Sequence, residues 1–295
     1  MRLLKLRTVL AATDLDPSSD AALDSAHRLA SAAGAALHVV HVLAPDKRGA
    51  SQPPTPERQH DLLGGALRRA QVSERDVKLH LLPGRPAETI RSLAERVSAD
   101  VIVLGPHRAD GRHASDRPLG GTAQAVVANT FAPTLVAPLP LRLPLAHMLA
   151  PVDLSETARG ALLVAISWAS ALRISSGGKP ETTLTALNVD TATDSEPDPD
   201  ALTALENELG MLGPGAGDWA GIDVQATVAR GTDVAEAIAG YAEKHEMDLV
   251  VLGTRGLGMN DEARLGSVSG RLTTRLKRPM LLVPPGVWRA YAAVP

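Results

Sequence analysis

The 295-residue chain contains no cysteine. Disulfide bonds, thiolate nucleophiles and zinc–sulfur centres are thereby excluded. Aromatic side chains are nearly missing as well. Phe131, Trp168, Trp219, Trp288, Tyr241 and Tyr291 are all of them, too few and too scattered to stack successive bases of a single strand. Basic charge is not in surplus: 30 lysines and arginines face 33 aspartates and glutamates, for a formal net charge of −3. Nucleic acid is therefore not an expected partner. Long apolar runs are lacking. The most apolar stretch, 160–172, is too short for a bilayer span and carries Ser167 and Ser170; it reads as a buried core helix, and no membrane insertion is expected. The opening Met1-Arg2-Leu3-Leu4-Lys5-Leu6-Arg7 is too short and too charged for a secretory signal, so a cytoplasmic location is expected. Two phosphate-binding patterns are missing too, the Walker G-x4-G-K-[ST] and a G-x-G-x-x-G after a strand.

What is present is ordinary globular composition, 44% hydrophobic and 21% charged, over a length that suits two domains. A pass along the chain finds one unit twice. Residues 8–14, TVLAATD, are a small apolar strand ending in an acid. Ser18-Ser19-Asp20 is expected to cap a helix that Gly34 stops. Strands at 36–43, 77–82 and 101–104 alternate with helices, one of them with Pro86 near its first position. Gly120-Gly121-Thr122 then opens a helix, and 133–137 is a fifth strand. The order returns from 147: HMLAPVD ends in an acid, Ser155 caps a helix, and Asp233 with Glu236 forms a capping pair. Further strands lie at 183–189, 223–230, 249–252 and 279–283. The acidic segment 190–200 lacks the spacing and glycine of a calcium loop and reads as solvated.

The halves keep step. Thr13-Asp14 recurs as Val152-Asp153, the turn at 83–86 as 230–233, and ADVIVLG at 99–105 as MDLVVLG at 247–253. Such ordered recurrence marks an internal repeat. The expected organisation is a domain at 1–138, a proline-bearing linker at 139–146, a domain at 147–285 and a tail at 286–295. Each domain is α/β, an open, twisted, parallel five-stranded sheet with helices on both faces.

The stretch 248–267, DLVVLGTRGLGMNDEARLGS, carries the sharpest motif. A buried strand runs into Gly253, Gly256 and Gly258, then Gly266-Ser267. Val268, Leu272 and Leu276 follow at helical spacing, with Arg271 and Arg275 between them. Strand, glycine-rich loop and helix N-terminus together present unpaired N–H groups and a positive dipole end to an anion. Read by itself, the same spacing also suits a tight turn.

The spacing G-x2-G-x9-G-S resembles the ATP-binding signature of the universal stress protein family and matches it at every position. The resemblance spans nearly the whole chain as two tandem family domains. It implies a Rossmann-like, nucleotide-binding α-hydrolase-like fold with strand order 3-2-1-4-5, and fifth strands that pair within the chain. It also allows a homodimer. The implied ligand is ATP, an adenine nucleotide, with Mg2+ brought by the nucleotide rather than held by a protein-only site. In the C-terminal half it assigns Val152 and Asp153 at the end of strand one and Val189 at the end of strand two. Leu252, Gly253, Arg255 and Gly256 would follow the phosphates, and Gly266, Ser267 and Val268 would hold their end.

The N-terminal counterparts are Thr13, Asp14, Val42, Gly105, Gly120, Gly121 and Thr122. There the pattern departs. Arg108 stands where Gly256 does, the loop to Gly120 is two residues longer, and Gly121 replaces the serine. A second register runs from Gly111 to Gly121-Thr122. His107, Asp110, His113 and Asp116 share this loop, without a spacing that fixes metal geometry. His38 and His41 alternate on opposite faces of a strand, and His41 is expected to pack. Function follows from the resemblance: an ATP-binding regulatory protein of stress responses. A slow ATPase or nucleotidyl-transferring enzyme is the alternative, although no catalytic residues can be assembled, and a dimerisation scaffold without nucleotide is the second.

Overall fold

A computed structural model describes residues 6–44, 55–106, 119–172, 182–191, 199–212, 221–255 and 265–287. They fall into two compact units that divide between Leu141 and Arg142. In the N-terminal half the elements are β1 (Thr8–Ala12), α1 (Asp20–Ala33), β2 (Ala36–Leu43), α2 (Pro56–Arg69), β3 (Val77–Pro83), α3 (Pro86–Arg96), β4 (Val101–Leu104), α4 (Gly121–Asn129) and β5 (Thr134–Val136). In the C-terminal half they are β6 (His147–Pro151), α5 (Glu156–Leu172), β7 (Thr182–Asp190), α6 (Pro199–Leu212), β8 (Ile222–Arg230), α7 (Val234–Lys244), β9 (Leu249–Gly253), α8 (Ser267–Arg275) and β10 (Met280–Val283).

The strands of the N-terminal half are parallel and lie in the order β3-β2-β1-β4-β5; those of the C-terminal half are parallel in the equivalent order β8-β7-β6-β9-β10. Crossovers between parallel strands are right-handed. Two successive steps to one side therefore put α1 and α2 on one face, and the return past the first strand puts α3 and α4 on the other. Buried on both faces, the central strands read as unbroken apolar runs: Val101 to Leu104 and Leu249 to Leu252 are all buried.

An aspartate before the fourth strand explains part of the repeat. Asp100 Oδ2 accepts from the N–H groups of Arg7 (2.7 Å) and Thr8 (2.9 Å). Asp248 Oδ2 accepts from Ala146 (2.9 Å) and His147 (3.0 Å). In each half this acid ties the start of strand one to its neighbour. One cap differs from expectation. Ser18 and Ser19 do not cap α1; Asp16 caps a preceding 3-10 turn by accepting from Ser18 N, and the Ser19 hydroxyl donates to Asp16 O. Ser155 and Asp233 do cap: Ser155 Oγ accepts from Ala158 N and Asp233 Oδ1 from Glu236 N. Among the described residues, no helix is long and apolar enough to cross a membrane.

Candidate functional site

In each half, crossovers leave the first and fourth strands toward opposite faces, and the crevice at their carboxyl ends is where open α/β sheets take ligands. In the C-terminal half this crevice is a cavity of about 240 Å³. β6 delivers Val152 and Asp153 to it, and β7 delivers Leu187, Asn188 and Val189. α7 adds Val234 and Ile238, and Leu252, Gly253 and Arg255 come from the end of β9. Gly266, Ser267, Val268 and Ser269 complete it from α8. Every described candidate of this half borders this one space. Gly256 and Gly258 lie outside the described residues, as do the loop residues between them and Leu265.

The lining combines two chemistries. Val189, Val234 and Ile238 contribute apolar surface suited to a flat ring. α8 begins at Ser267 behind the N-cap Gly266, whose N–H donates to Thr254 O at 2.7 Å. First-turn N–H groups have no intrahelical acceptor and carry the positive end of the dipole, so this part of the lining suits an anion. Ser267 is exposed at the mouth, whereas Ser269 is buried and its hydroxyl donates to Gly253 O at 2.7 Å. The second serine therefore docks the helix onto the strand. Asp233 does the same from α7: it pairs with Arg271 and, at 3.7 Å, with Arg275. The Glu236 N–H, and after it the Arg271 guanidinium, hold the Asp233 carboxyl below the usual carboxylate range.

Gly253 has a packing reason that phosphate contact does not supply. A Cβ there would sit 2.6 Å from Thr157 Cγ2 and 3.2 Å from Thr157 O, so glycine lets α5 approach the strand end. Gly105 repeats this against α1, where a Cβ would lie 3.2 Å from Ser19 Cα.

The strand-one ends are built alike. Val152 N donates to Leu187 O (2.8 Å) and Thr13 N to Val40 O (3.0 Å), each extending the ladder by one residue. Asp153 and Asp14 follow, exposed at the cavity mouths. The next residues, Leu154 and Leu15, have left-handed backbone at φ 61° and 69°. For a residue with a Cβ this costs about 1–2 kcal/mol.

The N-terminal cavity, about 250 Å³, is bordered by Thr13, Asp14, Ser19, His41, Val42, Gly105, Thr122 and Ala123 among others. Gly120 and Gly121 do not border it; they are the N-cap and first residue of α4. Counting from the caps, Thr122 and Ala123 match Val268 and Ser269, so an alanine stands in place of the docking serine. Arg108, Gly111 and the histidines and aspartates of their loop lie outside the described residues. Among the described residues no cluster of three or more metal-ligating side chains forms.

Sequence reasoning missed Asn188, Ser269, Val234 and Ile238, and gave His41 a packing role. His41 Nδ1 instead donates to Thr13 O at 2.9 Å. Laying the halves over one another would have flagged Asn188, which precedes Val189 as His41 precedes Val42. Nothing in the G-S spacing marks Ser269.

The model of the "Universal stress protein family" matches residues 5–138 and again 145–284. Universal stress protein A homolog 1 of Coxiella burnetii is 31% identical over 128 residues, 40% of this chain and 87% of that protein. A universal stress protein of Archaeoglobus fulgidus, 18% identical, superposes with a TM-score of 0.67 over 95% of this chain and 97% of its own. A shorter one from the same organism, solved in complex with dAMP, is 20% identical over 45% of this chain and 99% of its own, with a TM-score of 0.36.

Proposed function

This chain belongs to the universal stress protein family, and on that premise we propose that its C-terminal half binds an adenine nucleotide, ATP, whose occupancy serves as a regulatory signal. One observation carries the reading: a single cavity is bordered both by the apolar side chains of Val189, Val234 and Ile238 and by a helix N-terminus at Gly266 and Ser267, together with Arg255. The ring lies against the valines, and the donors of the nucleoside meet Asp153. The phosphates follow Arg255 toward the N–H groups of α8, with Ser267 contributing its hydroxyl and Arg255 a charge-assisted bond. A divalent ion, Mg2+, comes with the phosphates and offsets their charge. The N-terminal cavity has the same acid and valine but meets its helix at Thr122 and Ala123, and it binds nucleotide more weakly.

Calorimetric titration of the full-length protein with ATP tests the assignment. Micromolar affinity is expected, and Ser267→Ala should weaken it about 10–100-fold, since a hydrogen bond to a charged group is worth about 1.5–3 kcal/mol. An unchanged affinity in that variant removes Ser267 from the site.

A further inference from the structure

In both halves the strand-end acid is held in one way by unlike residues. Asn188 Nδ2 donates to the carbonyl of Val152, the residue before Asp153, at 2.8 Å. His41 Nδ1 donates to the carbonyl of Thr13, the residue before Asp14, at 2.9 Å. A carbonyl only accepts, so His41 carries its proton on Nδ1. After each acid comes the left-handed leucine, Leu154 or Leu15. The acid's own Oδ1 then accepts from the amide two residues on: Ser155 N at 3.0 Å and Asp16 N at 3.1 Å. The peptide before the acid, the backbone after it and the carboxylate itself are thus all constrained. An amide and an imidazole share neither shape nor volume, so filling space does not explain why both reach the same carbonyl. The repeat of the left-handed leucine adds to this, because a strained residue persists only where its surroundings hold it.

We infer that Asn188 and His41 are positioning residues. Each clamps the peptide that precedes the strand-end acid and so sets the aim of Asp153 or Asp14 at the mouth of its cavity, toward the hydroxyl or amine donors of a ligand. Without the clamp, the peptide between Val152 and Asp153 turns, the left-handed leucine relaxes and the carboxylate swings away from its turn. The identity of the ligand rests on the nucleotide reading above; the clamp itself does not.

The test uses the full-length protein, with ATP as probe in calorimetry and hydrogen exchange at the Ser155 amide without ligand. Asn188→Ala should speed exchange at Ser155 and weaken ATP binding about tenfold, the loss of roughly one hydrogen bond's worth of aim. Asn188→His, which installs the donor that the N-terminal half uses, should recover most of both; this also separates aim from folding if the alanine variant is unstable. Adding Asp153→Ala should cost less in the Asn188→Ala background than in wild type, because the two act as a unit. The inference is overturned by wild-type exchange in Asn188→Ala, by no recovery in Asn188→His, or by full additivity. Should wild type fail to bind ATP, the nucleotide reading falls, and Ser155 exchange alone decides the clamp: faster in Asn188→Ala and restored in Asn188→His supports it, unchanged overturns it.

Discussion

Gly253 shows how one residue serves two demands. Its place at the cavity invites a ligand argument, yet its nearest obstacle is the Thr157 methyl at 2.6 Å. Gly253→Ala should cost about 1–3 kcal/mol, as overpacking does, and Thr157→Ser, which deletes that methyl, should recover part of it. Denaturant unfolding of the two single variants and the double variant checks this; a double variant no better than the glycine variant alone would contradict it. A second residue-scale outcome concerns His38 and His80. Their rings stack at 5.1 Å between centroids, with His38 Nδ1 and His80 Nε2 3.0 Å apart. Burial first, then the charges of His80 and Lys78, hold His38 below the ordinary histidine value; burial, then Arg96 and Lys78, do so for His80. The unfolded chain therefore binds protons that the folded pair refuses. The pair's contribution is complete above the unfolded value of about 6.5 and is lost as pH falls below it. Unfolding followed by circular dichroism across that range should show stability falling toward acid, and His38→Gln should flatten the slope.

At the scale of elements, the aspartates before β4 and β9 give the clearest case. Asp248 is buried, and one of its oxygens takes two amides at the start of β6. Asp248→Ala leaves both donors buried or half-buried without their acceptor and should destabilise the C-terminal half by about 1.5–3 kcal/mol or more. A measured loss below 0.5 kcal/mol, about the effect of a neutral surface change, would show that water replaces it. This aspartate was visible in the sequence as part of a repeated ADVIVLG and MDLVVLG, while its role was not. Strand type, strand-end acids and the caps at Ser155 and Asp233 were legible because each depends on near neighbours in the chain. The reach of Asn188 to Val152 and the contact of Gly253 with Thr157 were not. Each needs the register of two strands, or the distance from a strand to a helix, and no local pattern encodes those.

For the whole molecule, the two halves share a topology and differ in their probes. All three tryptophans, Trp168, Trp219 and Trp288, follow the division at Leu141, and Trp168 is fully buried on α5. Tryptophan fluorescence thus reports the C-terminal half alone, whereas circular dichroism reports both. With ATP at about a hundred times its dissociation constant, the fluorescence transition should gain about 2.7 kcal/mol by mass action. An equal gain in a part of the dichroism transition that fluorescence does not follow would put nucleotide in the N-terminal half as strongly.

The strand order also has a consequence for how the chain is made. β1 is synthesised first, yet one of its two edges pairs with β4, so Val9 waits for Val101, and in the second half Met148 waits for Leu249. On the ribosome each sheet therefore grows from β1 or β6 in one direction only, leaving a central apolar edge open until most of that half has emerged. Closure comes as a late, non-local step, which makes it slow and leaves the nascent half open to strand pairing with other chains.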